Sequence, residues 1–457
     1  MKQKQIAVLG AGISGLASAH WLKKNSFDFV ILEKENHVGG SMQTIRKDGF
    51  QIDFGPNSGL ETTPLIKQIV DDIGFSDQMV YANEIANKRF ILRNNVLHEL
   101  PTSPASFLKT KLFSTNAKLR LFAEPFIGKS ADGYYQSLAA FVKRRLGQEF
   151  LDYAIDPFVS GVFAGDPNKL SVKSAFPKLY RLEEVYGGLI KGMIKGARER
   201  KQRAELSKQN ARMFSFINGM QSFAFAIANT MKENILLNAD VQKIEKQNDK
   251  WKIIYFLNGT QNEILVDSIL STIPVHAAEK LFSSIDKEFQ SHANEIYYPP
   301  VMVLYLGYNK TQIETPLDGF GYLIPSKEKK NYLGAIWSSS IFPNRCDEDN
   351  AAFTLFIGGA RSPHLFETGN EKLIEIVIKE FHETMKIIGE PIIAEYKLWD
   401  KAIPQYNIGY IEHENYFDKF EKEHKGIILS GNYRGGISVG DCIKNSEISS
   451  QKSIDNL

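Results

Sequence analysis

Short apolar runs punctuated by glycine open the chain, and their spacing predicts a strand, a helix and a second strand. Ile6-Ala7-Val8-Leu9 runs straight into Gly10-Ala11-Gly12-Ile13-Ser14-Gly15, and Phe29-Val30-Ile31-Leu32 follows one helix length later. Phe50-Gln51-Ile52-Asp53-Phe54 predicts a further strand that ends in a second glycine turn, Gly55-Pro56-Asn57-Ser58. Phe90-Ile91-Leu92 and Leu97-His98-Glu99-Leu100 flank Asn94-Asn95, the signature of a β-hairpin. From Ser103 to Tyr186 the apolar period becomes helical: Leu138, Phe141, Val142 and Leu146 make one face, beside Lys143, Arg144 and Arg145. Ser171 reads as a helix N-cap. Strands return at residues 235–241, 268–274, 301–306 and 353–357, and residues 426–443 read as strand, glycine loop and helix.

Composition narrows the class. With 457 residues, 43% hydrophobic and 24% charged, the chain is long enough for two or three well-filled domains of a soluble protein. Fifty-five Lys and Arg face 53 Asp and Glu, a net charge of +2, which suggests no polyanion partner and hence no nucleic acid. Cys346 and Cys442 are far apart and offer no metal-ligand spacing, so reduced thiols, a cytoplasmic setting and no metal are expected. No signal peptide is recognisable before the first strand, and no apolar stretch is long enough to span a bilayer. Residues 191–212 hold eight Lys or Arg against Glu199 and Glu205, a net of +6. Anionic lipid and a solvated linker are both compatible with that run.

The glycine pattern carries the chemistry. Gly10 permits a tight turn, Gly12 lets the backbone approach a pyrophosphate, and Gly15 lets the helix pack on the strand. Glu33, at the end of the second strand, can accept hydrogen bonds from a ribose hydroxyl. A glycine-rich turn in some other strand–helix–strand unit would share part of this pattern. Gly39-Gly40-Ser41 adds a second turn and Gly55 to Ser58 a third. A nicotinamide dehydrogenase has no need of these extra turns, whereas a flavin dinucleotide in an extended pose does.

With these motifs on the page, the chain resembles the flavin amine oxidase superfamily, and within it the protoporphyrinogen oxidase branch. The family usually has arginine after the Gly-Gly pair; this chain has Ser41, and the branch is looser there. Asp156-Pro157-Phe158-Val159-Ser160-Gly161-Val162-Phe163-Ala164-Gly165-Asp166-Pro167, Ala175-Phe176-Pro177, Glu183 to Gly188 and Ile437-Ser438-Val439-Gly440-Asp441-Cys442-Ile443 extend the resemblance over nearly the whole chain. It implies an α/β fold with a Rossmann-type FAD-binding domain, similar to those of glutathione reductase and amine oxidases, built from residues 1–80, 216–280 and 396–457. A helical cap (81–190) that touches a membrane surface, a basic linker and substrate-domain segment (191–215), and a mixed-sheet substrate domain (281–395) complete it.

The resemblance also implies site residues. FAD would be held by Gly10, Ala11, Gly12, Ile13, Ser14, Gly15, Glu33, Lys34, Gly40, Ser41, Gly55, Pro56, Asn57 and Ser58. Val241 would meet the adenine side through its backbone, and Ile437, Ser438 and Val439 would bring a helix N-terminus to the isoalloxazine. Arg89 would pair with a substrate propionate, although a surface arginine on a hairpin reads the same, and Leu317 and Trp337 would pack against a macrocycle. Asn218 replaces a family glycine and is expected to hold a positive-φ turn; Cys442 is expected to be small, buried and redox-inert.

The implied reaction is oxygen-dependent oxidation of protoporphyrinogen IX to protoporphyrin IX, with peroxide formed, no catalytic side chain and no metal. Coproporphyrinogen III oxidation is the near alternative. Amine oxidation and a non-catalytic flavin-bound porphyrin carrier are the distant ones. Oligomeric state is not encoded in any pattern above.

Overall fold

The computed structural model describes residues 4–203 and 211–457, and five parallel strands form its organising layer. In spatial order they are Ile235–Leu236, Asp28–Leu32, Gln5–Leu9, Ser268–Ser271 and Ile427–Leu429. They read as unbroken apolar runs because both faces of the sheet are covered. Ile6 and Val8 enter one cluster with the first helix, Ile13–Lys24, and the C-terminal helix, Val439–Asp455. Ala7 and Leu9 enter the other, against Val275–Phe282, Glu288–Glu295 and Tyr410–Glu423.

Two boundaries shift here. The predicted strand over 235–241 is two strands: Asn238 takes φ +54°, and Ala239–Gln247 starts a separate antiparallel sheet with Lys250–Leu257 and Thr260–Val266. Asparagine's tolerance of the left-handed region makes that break cheap. Residues 281–295, expected in the substrate domain, pack instead on the dinucleotide sheet through Leu281, Phe282, Phe289 and Ala293.

The second large sheet has seven strands, ordered Ile393–Trp399, Val301–Asn309, Asn350–Gly358, Gly334–Ile336, Gly321–Leu323, Phe90–Arg93 and Val96–Glu99. It is mixed: Tyr322 and Leu323 run parallel to Phe90 and Ile91, and the other pairings are antiparallel. The hairpin turns at Asn94 and Asn95, φ +54° and +58°, as its sequence requires. It belongs to this sheet and not to the cap, because its strand edge completes the ladder. The edge strand Ile393–Trp399 likewise crosses the expected 395/396 boundary. Side-chain alternation divides the work of the sheet. Met302, Leu304 and Leu306 bury against Leu373, Val377 and Phe381 of the helix Asn370–Met385, while Val301 and Val303 face a cavity.

The cap is helical as predicted and includes a π-helical turn, Leu151–Ile155, leading into Asp156–Phe163. Ser171 caps Val172–Ala175, its hydroxyl accepting from Ser174 N at 3.2 Å. Arg145, read as part of a charged face, is wholly buried. Its position seven residues after Leu138 puts it on the apolar side of Leu138–Arg145. There it pairs with Glu183 and, at 2.6 Å, with Glu124, which also caps the next helix by accepting from Leu189 N and Ile190 N. Of the basic run at 191–212, residues 191–203 continue the helix Leu189–Arg203, and 204–210 lie outside the described residues. Among the described residues, no helix is long and apolar enough to cross a membrane.

Candidate active site

A cavity of about 3440 Å³ begins at the carboxyl ends of the parallel strands and continues between the mixed sheet and the cap. That is where open α/β sheets bind ligands, and it exceeds the roughly 300–1,000 Å³ of a single small-ligand pocket. The geometry therefore accommodates two ligands end to end.

The dinucleotide end is built from backbone. Gly10 has φ +92°, and a Cβ on Gly15 would lie 1.9 Å from Gly10 O. Gly12 instead faces open space, its nearest neighbour for an added Cβ being Gly40 Cα at 4.0 Å. Gly39 N donates to Ala11 O at 2.9 Å, so the second glycine turn docks on the first. The third turn docks on the second: a Cβ on Gly55 would meet Ser41 O at 1.8 Å. Glu33 is buried at the cavity wall, Oε2 accepting from Ala11 N at 2.6 Å and Oε1 from Glu35 N at 2.9 Å. Ser438 caps the C-terminal helix, accepting from Asp441 N at 3.1 Å.

The cavity wall includes Gly10, Gly12, Ile13, Ser14, Glu33, Lys34, Gly40, Ser41, Gly55, Pro56, Asn57, Ser58, Val241, Ile437, Ser438 and Val439. Ala11 and Gly15 sit behind it, one donating to Glu33 and the other letting helix meet strand. Three interlocked glycine turns and a fixed carboxylate around a long cavity suit an extended flavin dinucleotide. Two buried polar atoms on the same wall, His276 Nδ1 and Tyr298 OH, have no hydrogen-bond partner among the described residues. Burial, with Lys401, Lys34 and Lys280 close by, lowers the His276 pKa to about 4.

Sequence reasoning missed the residues that hold the C-terminal glycine loop. Tyr406 OH donates to Asn432 O at 2.8 Å and accepts from Gly436 N at 2.9 Å, and Tyr410 OH donates to Tyr433 O at 2.7 Å. The two rings stack, with centroids 4.3 Å apart. No local pattern marks a tyrosine for such a contact. Asn218 also departs from expectation: Gly219, φ +81°, takes the left-handed turn, and Asn218 Oδ1 accepts from Arg46 at 3.2 Å. Cys442 is buried in the C-terminal helix, its thiol pKa pushed up to about 11 by burial.

The other end of the cavity is mostly apolar, with Phe90, Ile91, Phe158, Val162, Leu323, Leu333, Ile336 and Phe356 on its walls. Arg89 opens into it over the Phe320 ring, 5.2 Å from the centroid. Among the described residues it has no carboxylate partner, and burial alone lowers its pKa. Leu317 and Trp337 do not line the cavity. Trp337 is 1% exposed and packs in the core of the sheet against Phe90, because it falls on the face opposite Ile336. Leu317 packs against the same core.

Residues 13–451 match the family described as flavin containing amine oxidoreductase. Protoporphyrinogen oxidase 2, chloroplastic/mitochondrial, of Arabidopsis thaliana is 33% identical over 466 residues, covering 96% of this chain and 92% of its own length. Coproporphyrinogen III oxidase of Bacillus subtilis (strain 168) is 26% identical over 457 residues, covering 96% of each. A solved protein of Exiguobacterium sp. 255-15 superposes with a TM-score of 0.81 at 20% identity, covering 100% of both chains. That last likeness shows the fold alone.

Proposed function

The chain belongs to the flavin containing amine oxidoreductase family and takes FAD as its cofactor, and from that premise we propose that it oxidises protoporphyrinogen IX to protoporphyrin IX in heme synthesis, with dioxygen as terminal acceptor. The observation that carries the reading is Arg89: a guanidinium without a carboxylate partner among the described residues, set in a mostly apolar chamber that opens onto the dinucleotide site. A flat tetrapyrrole with apolar substituents along most of its rim and carboxylates at one edge matches that wall. The relatives' names support porphyrinogen chemistry. The apolar walls around Arg89 suit the substrate with two propionates better than coproporphyrinogen III with four.

When bound, FAD supplies a two-electron acceptor reoxidised by dioxygen, so three rounds take six electrons and six hydrogens from the macrocycle and yield three peroxides. The chain's own work is positional. Arg89 fixes one edge through two charge-assisted hydrogen bonds. Phe158, Val162, Leu323 and Phe356 orient the ring and keep water away. No side chain is assigned as acid or base, because loss of these hydrogens leads towards aromaticity. Arg89→Met should raise KM about 10- to 100-fold with little change in kcat, since a propionate contact is made equally in ground and transition states. Steady-state kinetics with protoporphyrinogen IX tests it; an unchanged KM removes the propionate from this end of the cavity.

The cap's outer surface supports peripheral membrane contact. Leu108, Leu119, Phe122 and Phe126 are exposed, Phe126 at 89%, and Lys109 and Lys111 flank them. An apolar patch beside basic residues fits an anionic bilayer. Sedimentation with anionic vesicles should carry the protein down, and the double variant Phe122→Asp, Phe126→Asp should stay in solution. Equal sedimentation of both proteins would exclude this surface.

A further inference from the structure

A dinucleotide brings two phosphate charges into the cavity, and backbone amides at the glycine turns answer only part of them. Position 41, directly after the Gly39-Gly40 pair, is Ser41 and brings no charge to the turn. We propose that Lys397, reaching across from the mixed sheet, is the cation that balances the cofactor's pyrophosphate in this chain.

Lys397 lies on the edge strand Ile393–Trp399, two residues before Trp399 and so on the same face, and both line the cavity. Trp399 is fixed by its indole N–H, which donates to Phe54 O at 2.8 Å, and its ring lies 4.5 Å from the Lys397 ammonium. That ammonium donates to Gln43 Oε1. Gln43 Nε2 in turn donates to Gly40 O at 3.1 Å, while Gln43 O accepts from Phe54 N at 2.9 Å. The charge is thus tethered to the Gly39–Ser41 turn by a neutral amide.

Of the other cavity lysines, Lys34 pairs with Glu35 at 3.4 Å and Lys173 with Glu184 at 2.8 Å, while Lys280 and Lys401 stand near His276 and, like Lys178 and Lys444, are exposed. Among the described residues, no carboxylate comes within ion-pair reach of Lys397, and Glu35 acts on it only through space. The group is half-buried, and burial lowers its pKa, the signature of an ammonium short of a counter-charge. An ammonium has three donors, and the amide of Gln43 uses one. An anion at the glycine turns would supply the missing partner and would tie the mixed sheet to the dinucleotide sheet.

The inference rests on FAD as cofactor and is independent of the substrate. The test titrates the full-length chain, freed of flavin, with FAD and with riboflavin, which lacks phosphate. Lys397→Met should weaken FAD binding about tenfold or more and make it less salt-dependent, with riboflavin binding unchanged. Lys397→Arg should recover most of the loss. Retained riboflavin binding also reports that the variant is folded. An equal loss of both ligands would make Lys397 a packing residue, and undiminished FAD affinity in Lys397→Met would overturn the proposal outright.

Discussion

Gly15→Ala should give a protein that purifies colourless and melts well below the parent. The added Cβ would lie 1.9 Å from Gly10 O and 2.8 Å from Thr272 Oγ1. No rotamer relieves the first clash, since both the carbonyl and the Cβ belong to backbone positions. The helix Ile13–Lys24 must move away from the strand Gln5–Leu9, or Gly10 must give up its φ of +92°. Either change disturbs the turn on which the Gly39 turn docks, and a core overpacked by one methyl costs about 1–3 kcal/mol even where side chains can adjust. Gly12→Ala is the informative partner. Its Cβ meets nothing closer than 4.0 Å, so stability should hold while the narrowed approach weakens FAD binding. Visible flavin absorbance per protein and thermal unfolding read both effects. Stoichiometric flavin in Gly15→Ala would contradict the turn geometry.

Arg145→Ala should destabilise the cap by about 3–5 kcal/mol, because it strands the buried carboxylate of Glu124 and leaves Glu183 with Arg144 as its one remaining cation among the described residues. The cost falls on the cap's whole frame. Glu124 accepts from Leu189 N at 2.7 Å and Ile190 N at 3.0 Å, and Glu183 from Ser130 N at 2.8 Å. Three segments of the cap therefore meet at one guanidinium. The neutral triple replacement of Arg145, Glu124 and Glu183 by apolar residues should recover much of the loss, since no unpaired charge then remains buried. Urea unfolding with limited proteolysis separates the cap from the flavin domain. A change below about 1 kcal/mol, the range of exposed pairs, would mean the three groups are solvated in solution.

The contrast between Arg145 and Arg89 shows where the sequence was readable. The dinucleotide turns were legible because each glycine is demanded by a local constraint: a positive φ at Gly10, a helix–strand contact at Gly15. The Asn94-Asn95 hairpin was legible for the same reason. Arg145 was misread because three basic residues in a row look like a solvated face, although helical period places the third under Leu138. Membership of the hairpin in the seven-stranded sheet was invisible, since the strand it joins lies more than two hundred residues further along the chain. Trp337 and Leu317 were placed by resemblance, and one step of strand alternation put Trp337 in the core instead. Tyr406, Tyr410 and Lys397 act on backbone or amides distant in sequence, and nothing near them in the chain announces it.

The most direct test of the account is anaerobic mixing of the yellow protein with protoporphyrinogen IX and, separately, with coproporphyrinogen III, following flavin absorbance and porphyrin formation together. The account predicts rapid flavin bleaching with protoporphyrinogen IX, porphyrin appearing in step, and recovery of the yellow colour when oxygen is admitted. Bleaching only with coproporphyrinogen III would reassign the substrate, and no bleaching with either would contradict porphyrinogen oxidation as the function of this cavity.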